Sequence, residues 1–225
     1  RPALDARHGA AARRQVGDDL RLEGAPPRLY AIADADALAP RRLSEAVATM
    51  ARAGVRWIQV RAKRMADDEL EAELDEICRS RREDVVLWIN DRADLARLFG
   101  LALHLGQDDL PPAAARRVVG AATPIGLSTH DPGQARAAAA DPDVDVLAVG
   151  PVFPTTGKEA PDPVVGLDLV RRARELTTRP LVAIGGLDAR RLAEVLAAGA
   201  DSGAVLGDLC RGDLDRNLAR YAAWL

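Results

Sequence analysis

VDVLAVGPVFPTTGK, Val144 to Lys158, passes from an apolar, strand-like run into a loop that carries two threonines and a lysine on a backbone stiffened by two prolines. Gly150 lets the chain turn sharply, and Pro151 and Pro154 fix φ and refuse a helix. Lys158 brings a positive charge. A loop of this make-up at the carboxyl end of a strand is where a βα enzyme holds an anion. It is not a nucleotide-binding P-loop, because Glu159 follows the lysine where a serine or threonine belongs. A solvated loop with a chance lysine reads the same way in isolation, so the decision falls to the rest of the chain.

Outward from this stretch, one alternation repeats from Leu29 to the end. Short apolar runs predict strands at Leu29–Ala33, Val55–Val60, Val85–Ile89, Leu101–Leu105, Pro124–Leu127, Val144–Val149, Leu181–Ile184 and Ser202–Leu206. Amphipathic segments rich in Ala and Arg predict helices between them, among them Arg41–Ala53, Asp67–Arg81, Pro112–Val119, Leu167–Leu176 and Ala189–Ala198. Eight βα units in about 200 residues is the compact limit of a TIM barrel. A doubly wound open sheet competes, but no GxGxxG follows the first strand, and the unit count favours an α/β fold of the (β/α)8 barrel type. In such a barrel the active site lies at the strand carboxyl ends.

Composition narrows the partners. The chain has 225 residues, 48% of them hydrophobic, enough for one domain with a sizeable core. Aromatics make up 3%, so the core should be built from Leu, Val, Ile and Ala. That scarcity, with a net charge of −3, argues against a nucleic-acid surface and against a charged membrane face. No apolar run reaches the ~18 residues of a membrane span. Cys78 and Cys210 stand far apart in no metal-like spacing, which suits a reduced, cytoplasmic protein. Residues 1–27, which end at Pro26-Pro27, lack an apolar signal core and read as an extension, helical at most around Ala10 to Leu20. The barrel domain is expected over residues 28–225.

The strand ends carry the chemistry. Gln59, Arg61 and Lys63 in QVRAK are spaced by two, so all three leave one face while Ile58 and Val60 take the other. Two cations and an amide aimed at one place suit a diphosphate. Strand three stops at Asn90-Asp91 and strand four at HLGQDD, with His104, Asp108 and Asp109. Singly, these acids could be helix caps. Together they set carboxylates beside the cations and suggest Mg²⁺. Strand five ends in Ser128, Thr129 and His130. Strands seven and eight end in Gly185-Gly186 and at Gly207, with Asp188 placed to cap a helix, and loops after these two strands are a recurrent phosphate site. A diphosphate and metal region on one side and a monophosphate region on the other imply two phosphorylated small molecules.

QVRAK, WINDRADLA, HLGQDDL, IGLSTH, GPVFPTTGK and AIGGLDARRLAEVLAAGAD, in this order and spacing from about Tyr30 to Leu209, resemble the thiamine phosphate synthase family. The resemblance implies a Mg²⁺-dependent transferase that joins hydroxymethylpyrimidine diphosphate to thiazole phosphate and releases diphosphate. It places the metal on Asp91 and Asp109. The diphosphate and pyrimidine contacts fall on Gln59, Arg61, Lys63, Asn90, Ser128 and Lys158, with Arg61, Lys63, Ser128 and Lys158 as the catalytic set. Thr155 falls on the thiazole side, and Gly186, Leu206 and Gly207 on the thiazole phosphate. A related thiazole tautomerase, whose histidine matches His130, generally lacks the aspartate pair. A non-catalytic barrel that binds a thiamine precursor is a further alternative. Three positions depart from the family: Gly157 replaces a threonine, Leu101-Ala102 stand near a usual Asp-Gly, and Gly207-Asp208 replace the serine of the phosphate turn. The resemblance is compatible with a homo-oligomer and does not fix one.

Overall fold

The computed structural model describes Leu22, residues 24–155 and residues 162–225. Eight parallel strands close into a barrel in chain order: β1 Leu29–Asp34, β2 Trp57–Arg61, β3 Val86–Asn90, β4 Ala102–Leu105, β5 Ile125–Thr129, β6 Val146–Val149, β7 Leu181–Ile184 and β8 Ser202–Val205. The expected strands are all present, with ends shifted by at most two residues. Helices α1 Ala35–Leu38, α2 Leu43–Arg52, α3 Asp67–Ser80, α4 Ala93–Phe99 and α5 Pro112–Val119 cover the first half. The second half carries α6 Pro132–Ala140, α7 Gly166–Leu176, α8 Ala189–Ala197, α9 Gly207–Cys210 and α10 Leu214–Ala219. No helix among the described residues is long and apolar enough to cross a membrane.

The two faces of each strand divide the interior in two. Ile58, Val60, Leu87, Ile89, Leu103, Leu147 and Val149 face outward into the large cluster under the helices, built from Leu, Val, Ile and Ala as expected. The inner face differs. Tyr30, Trp57 and Trp88 meet inside the barrel with ring centroids 5.3–5.7 Å apart. Composition alone missed this: three of the seven aromatic residues sit in one layer, all on β1–β3. Opposite them β4–β8 offer Ala102, Val146, Ala148 and Ala204, so large side chains on one wall are matched by small ones on the other. Each aromatic pair adds about 0.5–1.5 kcal/mol beyond its buried area. Leu22, within the stretch expected as an extension, packs against this inner cluster. The expected helix around Ala10 to Leu20 lies outside the described residues.

Helix starts correct several cap assignments. Asp34, Asp131, Asp188 and Asp213 accept from backbone N–H groups as N-caps, and of these Asp188 was expected. Asn90, Asp91, Asp108 and Asp109 cap nothing: α4 starts from Arg92 and α5 from Pro111, neither with a side-chain cap. In α5 the proline at the first helical position supplies the pre-set φ instead. The acids at the ends of β3 and β4 are thereby freed for another purpose.

Candidate active site

Arg61 leaves the top of β2 directly beside Asp34, its register partner on β1. The two form an ion pair in which Asp34 is 4% exposed, and the other Asp34 oxygen accepts from Ala37 N at 2.9 Å. One carboxylate thus fixes both the start of α1 and the guanidinium. One turn of the pleat below, Gln59 is buried and its Nε2 donates to the Tyr30 hydroxyl at 2.9 Å. Burial raises the Tyr30 pKa, so its hydroxyl stays protonated and can serve that amide without charge. Lys63 lies beyond the strand, where the loop returns it so that Nζ stands 3.3 Å from Asp91 Oδ2. The three side chains spaced by two therefore belong to one mouth, though Gln59 is an interior fixture and Lys63 is half exposed.

Asp91 is the single non-glycine residue among the described ones with positive φ, 65°. Its N–H is held by the His104 carbonyl at 2.9 Å, which locks the turn out of β3. Left-handed backbone costs a non-glycine residue about 1–3 kcal/mol and gathers at functional sites, although Asp tolerates it better than most. Asp109 reaches the same place from the loop after β4, with Oδ2 accepting from Gly106 N at 2.7 Å. Asp108 is exposed and Asp109 half-buried, so the ambiguity of the HLGQDD pair resolves to the second acid. Burial, and next the adjacent Asp109 carboxylate, push the Asp91 carboxyl above the ordinary range, while Lys63 pulls it back. Two carboxylates in contact at a cationic rim make a hard-oxygen donor pair. Among the described residues no group of three or more His, Cys, Asp or Glu gathers, so the pair is not joined by a third such side chain.

On the far side of the pair, His104 points inward from β4 and its Nε2 lies 2.9 Å from Ser128 Oγ on β5. Gln107 Nε2 donates to the Ser128 carbonyl at 2.6 Å and ties the β4 loop to the same strand end. Thr129 turns away, with its hydroxyl donating to Ala148 O. His130 is engaged by backbone: Nδ1 stands 2.6 Å from the Gly150 carbonyl and 3.7 Å from Asp162 Oδ2.

The loop after β6 is stitched to β7. Val152 N donates to Ile184 O at 2.8 Å and Phe153 N to Gly185 O at 3.0 Å. This explains the paired glycines more directly than bare N–H groups do. A Cβ on Gly185 would lie 2.5 Å from Pro151 Cα, and one on Gly186 2.5 Å from Pro154 O, at φ of 101° and 66°. Arg191, unnoticed in the sequence, clamps the seam: it donates to Gly186 O at 2.6 Å and stacks 4.8 Å over the Phe153 ring. Thr155 closes the described part of this loop, whereas Gly157, Lys158 and Glu159 lie outside the described residues.

The second glycine turn opens α9 after Leu206. Asp208 does not cap this helix. Its carboxylate accepts from Tyr221 Oη at 2.6 Å and pairs with Arg220 at 3.0 Å. Beside Asp34, Tyr30 and Arg191, the sequence reading also passed over the inward-facing Gly126; the strand-end position of Asp34 in AIAD was the one available signal.

The chain as a whole is similar to known proteins. The chain is 46% identical over 188 residues to a thiamine-phosphate synthase of Koribacter versatilis, covering 81% of this chain and 89% of that one. It is 46% identical over 204 residues to a thiamine-phosphate synthase of Mycolicibacterium gilvum, covering 82% and 81%. Among solved structures, a thiamine phosphate pyrophosphorylase from Pyrococcus furiosus aligns with a TM-score of 0.76 at 29% identity, over 86% of this chain and 92% of that one. Residues 29–209 match the sequence model described as thiamine monophosphate synthase, so the chain belongs to that family.

Proposed function

We infer that this protein is a thiamine phosphate synthase, a transferase that couples hydroxymethylpyrimidine diphosphate to thiazole phosphate with release of diphosphate. The observation that carries the reading is the convergence of Arg61, Lys63, Asp91 and Asp109 on three adjacent strand ends. The C–O bond between the pyrimidine methylene and the diphosphate breaks, and its electron pair leaves with the diphosphate. The thiazole nitrogen then gives its lone pair to the methylene carbon. No proton is gained or lost at the reacting atoms, so the site needs no general base. It needs preorganised positive charge where the leaving group gathers negative charge. Arg61, held immobile by Asp34, and Lys63 supply it, with Lys158 and the Ser128 hydroxyl as further donors.

Magnesium suits the aspartate pair, because two repelling carboxylates, joined by no third His, Cys, Asp or Glu among the described residues, call for a hard divalent ion completed by substrate oxygens. When bound, the ion neutralises diphosphate charge. Asp91 and Asp109 would hold it, and Lys63 would bridge from Asp91 to the departing oxygens. On the other side, Thr155, Gly186 and the Leu206–Gly207 turn form the thiazole phosphate region.

A tautomerase is disfavoured by the aspartate pair and by the tie of the matching histidine, His130, to Gly150 O. Mixing the purified protein with both phosphorylated substrates and Mg²⁺ should yield thiamine phosphate and diphosphate in equal amounts. Ligand binding without either product would refute the synthase and favour a precursor-binding barrel. Isomerised thiazole in place of product would favour the tautomerase.

A further inference from the structure

Inside the mouth, His104 is buried and has one hydrogen bond for two ring nitrogens. Nε2 meets Ser128 Oγ at 2.9 Å, while Nδ1 is buried and has no partner. Gly126, the register partner of His104 on β5, is what makes room for that edge of the ring: a Cβ there would stand 2.7 Å from Nδ1 and 3.4 Å from Trp88. The ring is neutral, since a charged imidazole would bury an Nδ1–H with nothing to accept it.

A neutral imidazole carries its proton on one nitrogen, and the two choices differ in cost. A proton on Nδ1 would bury an N–H donor against a glycine and a tryptophan ring. A proton on Nε2 leaves only a bare lone pair there, and buried orphan donors are rarer in proteins than under-used acceptors. We propose that His104 is a positioning residue: it is protonated on Nε2 and donates to Ser128 Oγ, which obliges the serine hydroxyl to aim its own proton outward at the departing diphosphate. This assignment rests on the reading of Ser128 as a diphosphate contact. Without His104 the hydroxyl could rotate and offer a lone pair to an anion that needs a proton.

The assignment has a spectroscopic arm and a kinetic arm. The chain holds three histidines, so ¹⁵N-imidazole spectra of the full-length protein at neutral pH, compared with the His104→Gln protein, identify this ring. An Nε2–H tautomer is expected; an Nδ1–H tautomer overturns the proposal. In turnover assays with saturating Mg²⁺, His104→Leu should lower kcat about tenfold to a hundredfold, the usual worth of a hydrogen bond to a charged group. His104→Gln, whose amide can still donate, should recover most of that loss. The Ser128→Ala/His104→Leu double variant should be no slower than Ser128→Ala alone. Losses that multiply, or a Gln variant as poor as the Leu variant, would reduce His104 to packing. If the wild-type protein makes no thiamine phosphate, the proposed function fails, and the tautomer still decides the hydrogen-bond direction independently.

Discussion

The two ends of this barrel treat charge in opposite ways. At the floor, Arg116 on α5 donates to the carbonyls of Gly120 and Thr123, to Asp143 O at 2.9 Å and to Asp145 Oδ2 at 2.7 Å, while that same oxygen accepts Ile125 N at 2.8 Å. Two βα units later the arrangement recurs. Arg174 donates to Thr177 O, to Arg179 O at 2.9 Å and to Asp201 Oδ2 at 2.8 Å, and Leu181 N donates to that carboxylate at 2.8 Å. Within these two clamps each charge meets an opposite charge or a backbone dipole. At the mouth, two carboxylates face each other, one of them on left-handed backbone, and a buried histidine nitrogen has no partner. The clamp charges hold strands together and are complete without a ligand. Mouth charges are tolerated at a cost, as groups at functional sites often are.

The sharpest way to break this contrast is Asp91→Asn. Asparagine tolerates the 65° φ as well as aspartate does, so backbone strain is unchanged while one of two repelling charges is lost. Turnover in Mg²⁺ should fall by about 10²–10³, the usual effect of removing one preorganised transition-state contact. The melting temperature should hold or rise. Near-normal turnover would take Asp91 out of the proposed metal site.

Asp201→Ala should do the reverse. It leaves the Leu181 N–H and the Arg174 guanidinium short of an acceptor, which costs about 1–3 kcal/mol. At the ~2–4 °C per kcal/mol typical of this chain length, the melting temperature should drop by several degrees. Turnover per folded molecule should be unchanged below the transition. Asp145→Ala, at the twin clamp, should behave alike. A loss of kcat without a loss of stability would mean that the floor communicates with the mouth, and the division would fail.

How far each end was legible follows from the same physics. The strands and the helix-facing core could be read because they obey local periodicity: Ile58 and Val60 alternate with Gln59 and Arg61 in the sequence as they do in space. The cation and carboxylate sets could be read because barrel topology sends strand ends to one rim. What could not be read depends on registers between strands. Nothing local says that Asp34 stands beside Arg61, that Gly126 makes room for His104, or that Gly185 is glycine because Pro151 lies against it. Composition likewise says that aromatics are few, not that three of them would meet in one layer. The floor clamps were invisible for the same reason, since each joins a helix end to the start of the second strand after it.

The seam between the β6 loop and β7 lies between the two extremes and should respond on both axes. Gly185→Ala would force a Cβ to within 2.5 Å of Pro151 at a φ of 101°. Left-handed strain alone is about 1 kcal/mol or more, so stability should fall by a few degrees. Because the loop carries Thr155 and Lys158, KM for thiazole phosphate should rise as well. A lower melting temperature with an unchanged KM would show that the seam only braces the barrel.

The smallest expected effects concern the second glycine turn. Asp208 first looks like a carboxylate set against phosphate. In the structure its oxygens are taken by Tyr221 and Arg220, so the charge is already neutralised and drawn toward the C-terminal segment. Asp208→Ala should therefore leave KM for thiazole phosphate where it was, and lose about 1 kcal/mol of stability with the Tyr221 bond. A lower KM would mean that the carboxylate swings into the phosphate region during turnover. Gly207→Ser asks the complementary question. Its backbone is not left-handed, and an added Cβ would find nothing nearer than Arg211 at 3.9 Å, so a hydroxyl can be added without displacing a neighbour. A new hydrogen bond to a phosphate oxygen should lower KM for thiazole phosphate by up to about tenfold with kcat little changed, because the bond is equally strong before and during the reaction. An unchanged KM would place the phosphate out of reach of Gly207 and leave Gly186 as its principal backbone contact.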